Sequence, residues 1–206
     1  MATKDHQSEP IESASETLQR IFDGHGSVLG SQMADESSRY DVLKKTDFPK
    51  PQRTRRIAVA NQKGGVGKTT STVNTAAALA NKGAQVLVID MDPQGNASTA
   101  LGVSHASGEP SVYDVIEGRS DLGDVITVCP DFPTLDVVPA SIDLSGAELE
   151  VADLPNRNTL LKEALDLYLR QSDKHYDYVF IDCPPSLGLL VINAMCAVTK
   201  SEAKRS

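Results

Sequence analysis

Residues 61–70, Asn-Gln-Lys-Gly-Gly-Val-Gly-Lys-Thr-Thr, constrain the fold of this chain more than any other segment. The apolar run 57–60 precedes them, and apolar residues at helical spacing follow them as far as Asn81. This pattern predicts a strand, a glycine-rich loop and a helix. Glycine lets a loop turn successive backbone N–H groups inward, and the start of a helix adds partial positive charge at the same place. The segment therefore predicts a loop that binds phosphate groups.

Two side chains of this segment have the chemistry that a nucleoside triphosphate requires. Lys68 is placed to contact the β- and γ-phosphates, and the Thr69 hydroxyl is placed to bind Mg²⁺. A segment rich in glycine and lysine can also be an ordinary solvated turn, but the predicted strand and helix on either side favour the phosphate loop. The residues expected to contact the nucleotide are Gly64, Gly65, Val66, Gly67, Lys68, Thr69 and Thr70.

Strand and helix patterns alternate along residues 56–199, which predicts a doubly wound α/β fold with a mostly parallel sheet of P-loop NTPase type. Segment 85–90 is an apolar run without alternation, as a parallel strand covered on both faces requires. The predicted strands are 57–60, 85–90, 125–128, 135–138 and 178–182, and the predicted helices are 69–81, 111–118, 144–151, 158–171 and 187–198.

Carboxylates stand at the ends of two predicted strands. Asp90 ends one strand and Asp92 follows it, whereas Asp182 ends the last strand. Ligands of such sheets bind at the carboxyl ends of the strands, so we expect these side chains near the phosphate loop. Asp182 is expected to orient water bound to Mg²⁺. Asp90 has two interpretations: it also holds a Mg²⁺-bound water, or it only ends the strand.

The N-terminal region 1–55 is rich in Ser, Glu, Asp and Lys, which predicts a flexible extension of the α/β domain. Apolar residues within 11–22 fall on one helical face, and Asp23-Gly24 ends that pattern. A helix of this length is weak alone, so the segment either docks as a short amphipathic helix or remains disordered.

Charge and cysteine content narrow the class of protein. Residues 1–56 carry nine Lys/Arg and nine Asp/Glu, so the net charge of −8 falls on residues 57–206, which show no basic surface for nucleic acid. The three cysteines at 129, 183 and 196 have no metal-ligand spacing, which is typical of reduced thiols in the cytoplasm. The chain has neither a long apolar run nor the pattern of a signal peptide, so we expect no membrane association.

The loop resembles that of the deviant Walker A ATPases. Their pattern K-G-G-x-G-K-[ST] is met at every position from 63 to 69, whereas the first glycine of the general phosphate-loop pattern falls on Gln62. Residues 91–96, Met-Asp-Pro-Gln-Gly-Asn, resemble the D-P-Q-x-N segment of the ParA branch. Asp182 and the Cys-Pro-Pro-Ser-Leu-Gly that follows it resemble the Walker B region of that branch. Residues 56–199 are thus similar to chromosome and plasmid partition ATPases.

This resemblance implies an enzyme with ATP and Mg²⁺ as cofactors and with Lys63, Lys68 and Asp92 as catalytic residues. Lys63 would reach the nucleotide of a partner subunit in an ATP-dependent homodimer, and Asp92 would position the attacking water. The resemblance also implies slow ATP hydrolysis, non-specific DNA binding on the nucleoid, and stimulation by a ParB-type centromere-binding protein.

The sequence departs from that family after residue 199. The family continues with a further buried strand, whereas residues 200–206 are a short polar tail. We therefore expect a sheet that is incomplete on its C-terminal side, with an unpaired edge. A second hypothesis follows, in which the chain is a nucleotide-binding or dimer-poisoning fragment that does not complete the ATPase cycle.

Two related families share the loop but fit less well. MinD-like regulators end in an amphipathic membrane helix, and residues 200–206 do not have that pattern. Nitrogenase-reductase-like proteins need cysteines that hold a cluster at a symmetric interface, and Cys129 and Cys196 form no convincing pair.

Overall fold

The structure, a computed structural model, describes residues 28–46 and 48–198. The chain divides into two compact units, residues 1–48 and 49–206. The amphipathic segment predicted at 11–22 lies outside the described residues.

In the first unit, Val28–Lys45 forms an 18-residue helix, α1, that the sequence pattern did not predict. Among its described side chains, Met33, Tyr40, Val42 and Leu43 are exposed and spread around the helix. Because they form no single apolar face, the periodic signal that identifies an amphipathic helix is missing. The helix ends where the Thr46 hydroxyl donates a hydrogen bond to the Val42 carbonyl at 2.7 Å.

The second unit is built on a five-stranded sheet with the order β1-β5-β2-β4-β3. The strands are Arg55–Val59 (β1), Val86–Asp90 (β2), Thr127–Val128 (β3), Leu135–Val138 (β4) and Tyr178–Asp182 (β5). All pairs are parallel except β3 with β4, which confirms the predicted mostly parallel sheet. The strand predicted at 125–128 was partly wrong, because Leu122–Val125 is a 3-10 helix.

Helices cover both faces of the sheet, which confirms the doubly wound architecture. The helices of this unit are Lys68–Asn81 (α2), Asn96–Ala100 (α3), Val112–Ile116 (α4), Leu144–Glu150 (α5), Leu160–Gln171 (α6) and Leu189–Val198 (α7). Only α3 was not predicted. It is a single turn, too short to show a periodic apolar pattern.

The core lies in two layers because successive side chains of a strand point to opposite faces. Leu87 and Ile89 of β2 pack with α4 to α7 on one face, whereas Val86 and Val88 pack with α2 on the other. All are fully buried, as the unbroken apolar run predicted. Each such side chain contributes about 1.5–3 kcal/mol when removed from water.

The strand register brings the predicted site residues to one edge of the sheet. Asp182 of β5 stands opposite Val59 of β1 on one side and opposite Asp90 of β2 on the other. The Met91 N–H donates to the Asp182 carbonyl at 2.9 Å, which continues the pairing one residue beyond β2. The loop after β1, the end of β5 and the segment after β2 are therefore neighbours.

Strand β1 lies at an edge of the sheet. Its Arg55 N–H donates to the Asp177 carbonyl, and its Val59 carbonyl accepts from the Cys183 N–H, so both groups point toward β5. Because backbone groups alternate along a strand, those of Arg56 and Ala58 point away from β5. Among the described residues no strand pairs with that side of β1.

We predict that this edge makes the 206-residue chain prone to association, because a strand with unpaired backbone groups is a template for pairing. Ile57, which is 37% exposed, adds apolar surface there. Ile57→Lys should raise the monomeric fraction, since a lysine on an edge strand opposes such pairing. Light scattering and thermal melting at several protein concentrations would measure this. A monomeric wild type with a cooperative melt would contradict it.

Candidate nucleotide-binding site

The loop between β1 and α2 turns on two glycines. Gly65 and Gly67 have φ angles of 70° and 83°, in the left-handed region that favours glycine. Gly64 has no such φ, so the tight turns of the loop depend on the other two. A Cβ at any of the three positions would meet no atom within 4 Å, which shows open space over the loop.

Helix α2 begins at the loop without a side-chain cap. Gly67 is its N-cap residue, and the first turn contains no acidic side chain. The first N–H groups of a helix have no partner within the helix, and together they carry partial positive charge. The Lys68 ammonium adds a full charge beside them, and its Nζ lies 3.4 Å from the Lys63 carbonyl. This end of α2 therefore attracts an anion.

A cleft of about 680 Å³ opens over the loop. Six of the seven residues expected to contact the nucleotide line it, all except Val66. Of the three expected catalytic residues, Lys68 and Asp92 line it and Lys63 does not. Lys63 and Val66 are exposed. The cleft is lined by Gly64, Gly65, Gly67, Lys68, Thr69, Thr70, Val73, Asn74, Asp92, Gln94, Asn96, Ala100 and Pro185.

Asp182 joins the end of β5 to the first turns of α2. The Thr69 hydroxyl donates to its Oδ2 at 2.7 Å, and the Thr72 hydroxyl donates to its Oδ1 at 3.0 Å. The carboxyl group is buried, which raises its pKa, and the two hydroxyl donors oppose that rise. A hydroxyl beside a buried carboxylate at the base of an anion site is a donor set that suits Mg²⁺, which prefers oxygen ligands and retains bound water.

Asp90 is buried and holds the segment that follows β2. Its Oδ2 accepts hydrogen bonds from the N–H and the hydroxyl of Ser98, both at 2.8 Å, and its Oδ1 accepts from the Asp92 N–H at 3.1 Å. The Ser98 hydroxyl also accepts from the Ala140 N–H at 3.1 Å, which connects this segment to the end of β4. Burial raises the pKa of Asp90 to about 6. These contacts favour the interpretation of Asp90 as a structural residue.

Asp92 projects into the cleft from a tightly held loop. It is 7% exposed, and its Oδ1 accepts from the Gln94 N–H at 3.0 Å. The His105 ring covers Gly95, where a Cβ would lie 2.5 Å from the ring, and His105 pairs with the Thr99 hydroxyl at 2.8 Å. Gly95 has a φ of 62°, a conformation that favours glycine, and a Cβ there would displace the His105 ring.

Two of the cysteines, Cys129 and Cys183, are buried side chains. Burial raises the pKa of Cys183 to about 12, so its thiol remains protonated at neutral pH, as a packed side chain would. Cys129 is buried and contacts the Leu101 carbonyl. Among residues 28–46 and 48–198, no group of three or more His, Cys, Asp or Glu side chains could hold a metal ion.

Two residues that hydrogen bond to the predicted carboxylates, Thr72 and Ser98, were not predicted. Each lies next to a predicted residue in space, and Thr72 lies three positions after Thr69 on one face of α2. Helical spacing could have identified Thr72, whereas no sequence signal connects Ser98 with Asp90 before the turn at α3 is known.

One strand of a parallel sheet leads into a glycine loop at a helix N-terminus, and the neighbouring strand ends in an aspartate that is hydrogen bonded to that helix. This arrangement defines the P-loop nucleoside-triphosphate-binding proteins. Residues 54–200 match a family model described as AAA domain. The chain belongs to this family, in its ParA branch.

Two curated relatives are named for control of sporulation and for chromosome partitioning. The sporulation initiation inhibitor protein Soj of Bacillus subtilis is 50% identical over 141 residues, which cover 68% of this chain and 54% of Soj. The chromosome partitioning protein ParA of Caulobacter vibrioides is 48% identical over 141 residues, covering 68% of this chain and 52% of ParA. The chain thus spans about half the length of these relatives.

A solved structure with this fold is described as cobyrinic acid a,c-diamide synthase from Mycobacterium smegmatis, with a bound ATP analogue and magnesium. It is 41% identical with a TM-score of 0.63, and the match covers 70% of this chain and 57% of that one. That description names a synthase, whereas the Caulobacter relative is named for chromosome partitioning. Among the described residues of our chain, no helix has the length and apolar character of a membrane span.

We predict a pH dependence of stability from Asp90. Its pKa is about 6 when folded, against an ordinary value of 3.8, so the folded chain takes up a proton more readily and stability from this group rises as the pH falls between 6 and 4. Between pH 7.5 and 4.5 the free energy of unfolding of the wild type should therefore gain about 2 kcal/mol relative to Asp90→Asn, which has no such proton.

Urea unfolding of both proteins in EDTA at several pH values would measure this difference. Subtracting one free energy of unfolding from the other removes the contributions of the carboxyl groups that titrate in both proteins. A difference that does not change with pH would show that Asp90 is not held as a buried carboxylate.

Proposed function

We propose that this chain is a ParA-type ATPase that binds ATP with Mg²⁺ and hydrolyses it slowly in chromosome or plasmid partitioning. The observation that carries the proposal is the 2.7 Å hydrogen bond from Thr69 to Asp182. It places a hydroxyl and a carboxylate together at the base of the cleft, beside the free N–H groups of α2. Phosphate contacts and metal-directed contacts are thus supplied at one place.

Each side chain has a role in this proposal. Lys68 and the N–H groups at the start of α2 bind the phosphates and stabilise the charge that develops on them. Thr69 binds Mg²⁺, and Asp182 accepts hydrogen bonds from water bound to the ion. When bound, Mg²⁺ supplies positive charge to the phosphate oxygens. Asp92, which lines the cleft, orients the attacking water.

Lys63 is proposed to act on the nucleotide of a second subunit in an ATP-dependent homodimer. Its side chain is exposed and does not line the cleft of its own chain, although its carbonyl lies beside Lys68. A cation that approaches from a partner would stabilise phosphate charge only in the assembled dimer. This arrangement would couple hydrolysis to association.

The proposed partners are a ParB-type centromere-binding protein and non-specific DNA, in the cytoplasm on the nucleoid. The name of the Caulobacter relative, chromosome partitioning protein ParA, supports this proposal. The charge of the chain does not, because residues 57–206 carry the whole net charge of −8 and DNA surfaces are usually basic.

A second candidate is a nucleotide-binding chain that does not complete the ATPase and DNA cycle, and that poisons dimers of a complete partner. The edge position of β1 favours it, since the described residues leave that side of the sheet unpaired. The chain would still hold Mg-nucleotide, because the loop, Thr69 and Asp182 are all present.

We predict that Lys68 is needed for ATP binding, whereas Lys63 is needed only for ATP turnover. Lys68→Ala should weaken ATP binding about 10- to 100-fold, because it removes a charge-assisted contact to phosphate. Lys63→Ala should leave the Kd of the monomer within about twofold and abolish turnover, since its contact is made only across the dimer. Lys82→Ala, at the other end of α2, is the matched control. Equal loss of binding in both variants would contradict the role in trans.

ATP turnover with and without DNA and a ParB-type partner separates the two candidates. The partitioning ATPase should show low basal turnover that rises when both are added, with Lys68→Ala as the blank. Nucleotide binding that is tight but never leads to stimulated turnover would support the second candidate. If the wild type bound no nucleotide, both would be excluded.

A further inference from the structure

The two oxygens of the Asp182 carboxylate have separate donors on successive turns of α2. Thr69 donates to Oδ2 and Thr72 donates to Oδ1. Residues three apart on a helix lie on the same face, so one helix face holds both oxygens. Thr72 and Asp182 are both fully buried, and Thr72 does not line the cleft.

The Thr72 hydroxyl has one proton and two acceptors within reach. The Lys68 carbonyl lies at 3.1 Å and Asp182 Oδ1 at 3.0 Å. In the interior of α2 that carbonyl already accepts the backbone N–H four residues later, which is that of Thr72 itself. A hydrogen bond to a charged carboxylate is also about twice as strong as one to a neutral acceptor. The proton therefore goes to Asp182.

We infer that Thr72 is a positioning residue for the magnesium site, an inference that rests on the proposed function. By holding Oδ1, Thr72 prevents the carboxylate from turning about its last bond and keeps Oδ2 directed at Thr69. Without this donor, Oδ1 would be buried with no hydrogen-bond partner in the surrounding structure, and the carboxylate would rotate to find one. Thr72 contacts neither phosphate nor metal; it acts through Asp182.

This role predicts a defect confined to magnesium. Residues that orient the groups around a metal typically change its affinity about 10- to 100-fold when they are mutated. Thr72→Val keeps the shape of the side chain and removes the hydroxyl, so it should raise the Mg²⁺ concentration for half-maximal tightening of nucleotide binding by about tenfold. Thr72→Ser keeps the hydroxyl and should remain within about threefold of the wild type. Nucleotide affinity in EDTA should be unchanged in both.

The experiment titrates Mg²⁺ against the full chain with a fluorescent ADP analogue, so its readout does not require hydrolysis. Ser71→Ala is the matched control, since Ser71 is the exposed neighbour on the same turn. Thr72→Ala provides a second test if the valine variant does not fold, because alanine has the higher helix propensity. In an Asp182→Asn background, removal of the Thr72 hydroxyl should have no further effect.

The outcomes separate this inference from the proposed function. If the wild type requires Mg²⁺ and Thr72→Val requires no more of it, Thr72 has no positioning role. If Thr72→Val weakens binding equally in EDTA, the residue is structural only. If the nucleotide affinity of the wild type does not depend on Mg²⁺, the proposed function is overturned, and the role of Thr72 with it.

Discussion

The buried carboxylate of Asp182 is the constraint on which the rest of this structure depends. A charged group that is buried away from water must be hydrogen bonded. The hydroxyls of Thr69 and Thr72 donate those hydrogen bonds to Asp182. Since both hydroxyls belong to α2, satisfying the carboxylate fixes the start of this helix above the end of β5. The glycine loop must then span from β1 to that point, and its left-handed glycines allow the turn. The hydrogen bonds to Asp182 thus both stabilise the fold and set the geometry of the site.

A second buried carboxylate organises the other wall of the cleft. Asp90 gathers the N–H of Asp92 with the N–H and hydroxyl of Ser98, and Ser98 in turn receives the Ala140 N–H. The loop that carries Asp92 is therefore fixed at both ends before any ligand arrives. Such preorganisation matters because a group that must hold water in place gains little if its own backbone is mobile.

The sequence predicted the features that are determined by a local pattern of residues. The unbroken apolar runs of β2 and β5 and the glycine loop identified the sheet, its parallel pairing and the edge where the carboxylates meet. The single turn of α3 and the 3-10 turn before β3 are too short to show periodicity. Helix α1 lacks an apolar face. Thr72 and Asp182 are separated by 110 residues, and only the register of β5 beside β1 brings them together. The metal-linked interpretation of Asp90 was open because sequence does not show how many donors surround a carboxylate.

The central claim is that one site, formed by the loop, Thr69 and Asp182, holds a nucleotide with its magnesium. A crystal structure of the chain with an ATP analogue and Mg²⁺ tests it most directly. We expect phosphate oxygens on the N–H groups at the start of α2, Mg²⁺ bonded to the Thr69 hydroxyl, and Asp182 hydrogen bonded to water on the ion. A nucleotide bound away from the loop, or magnesium held at Asp90 and not beside Thr69, would contradict it.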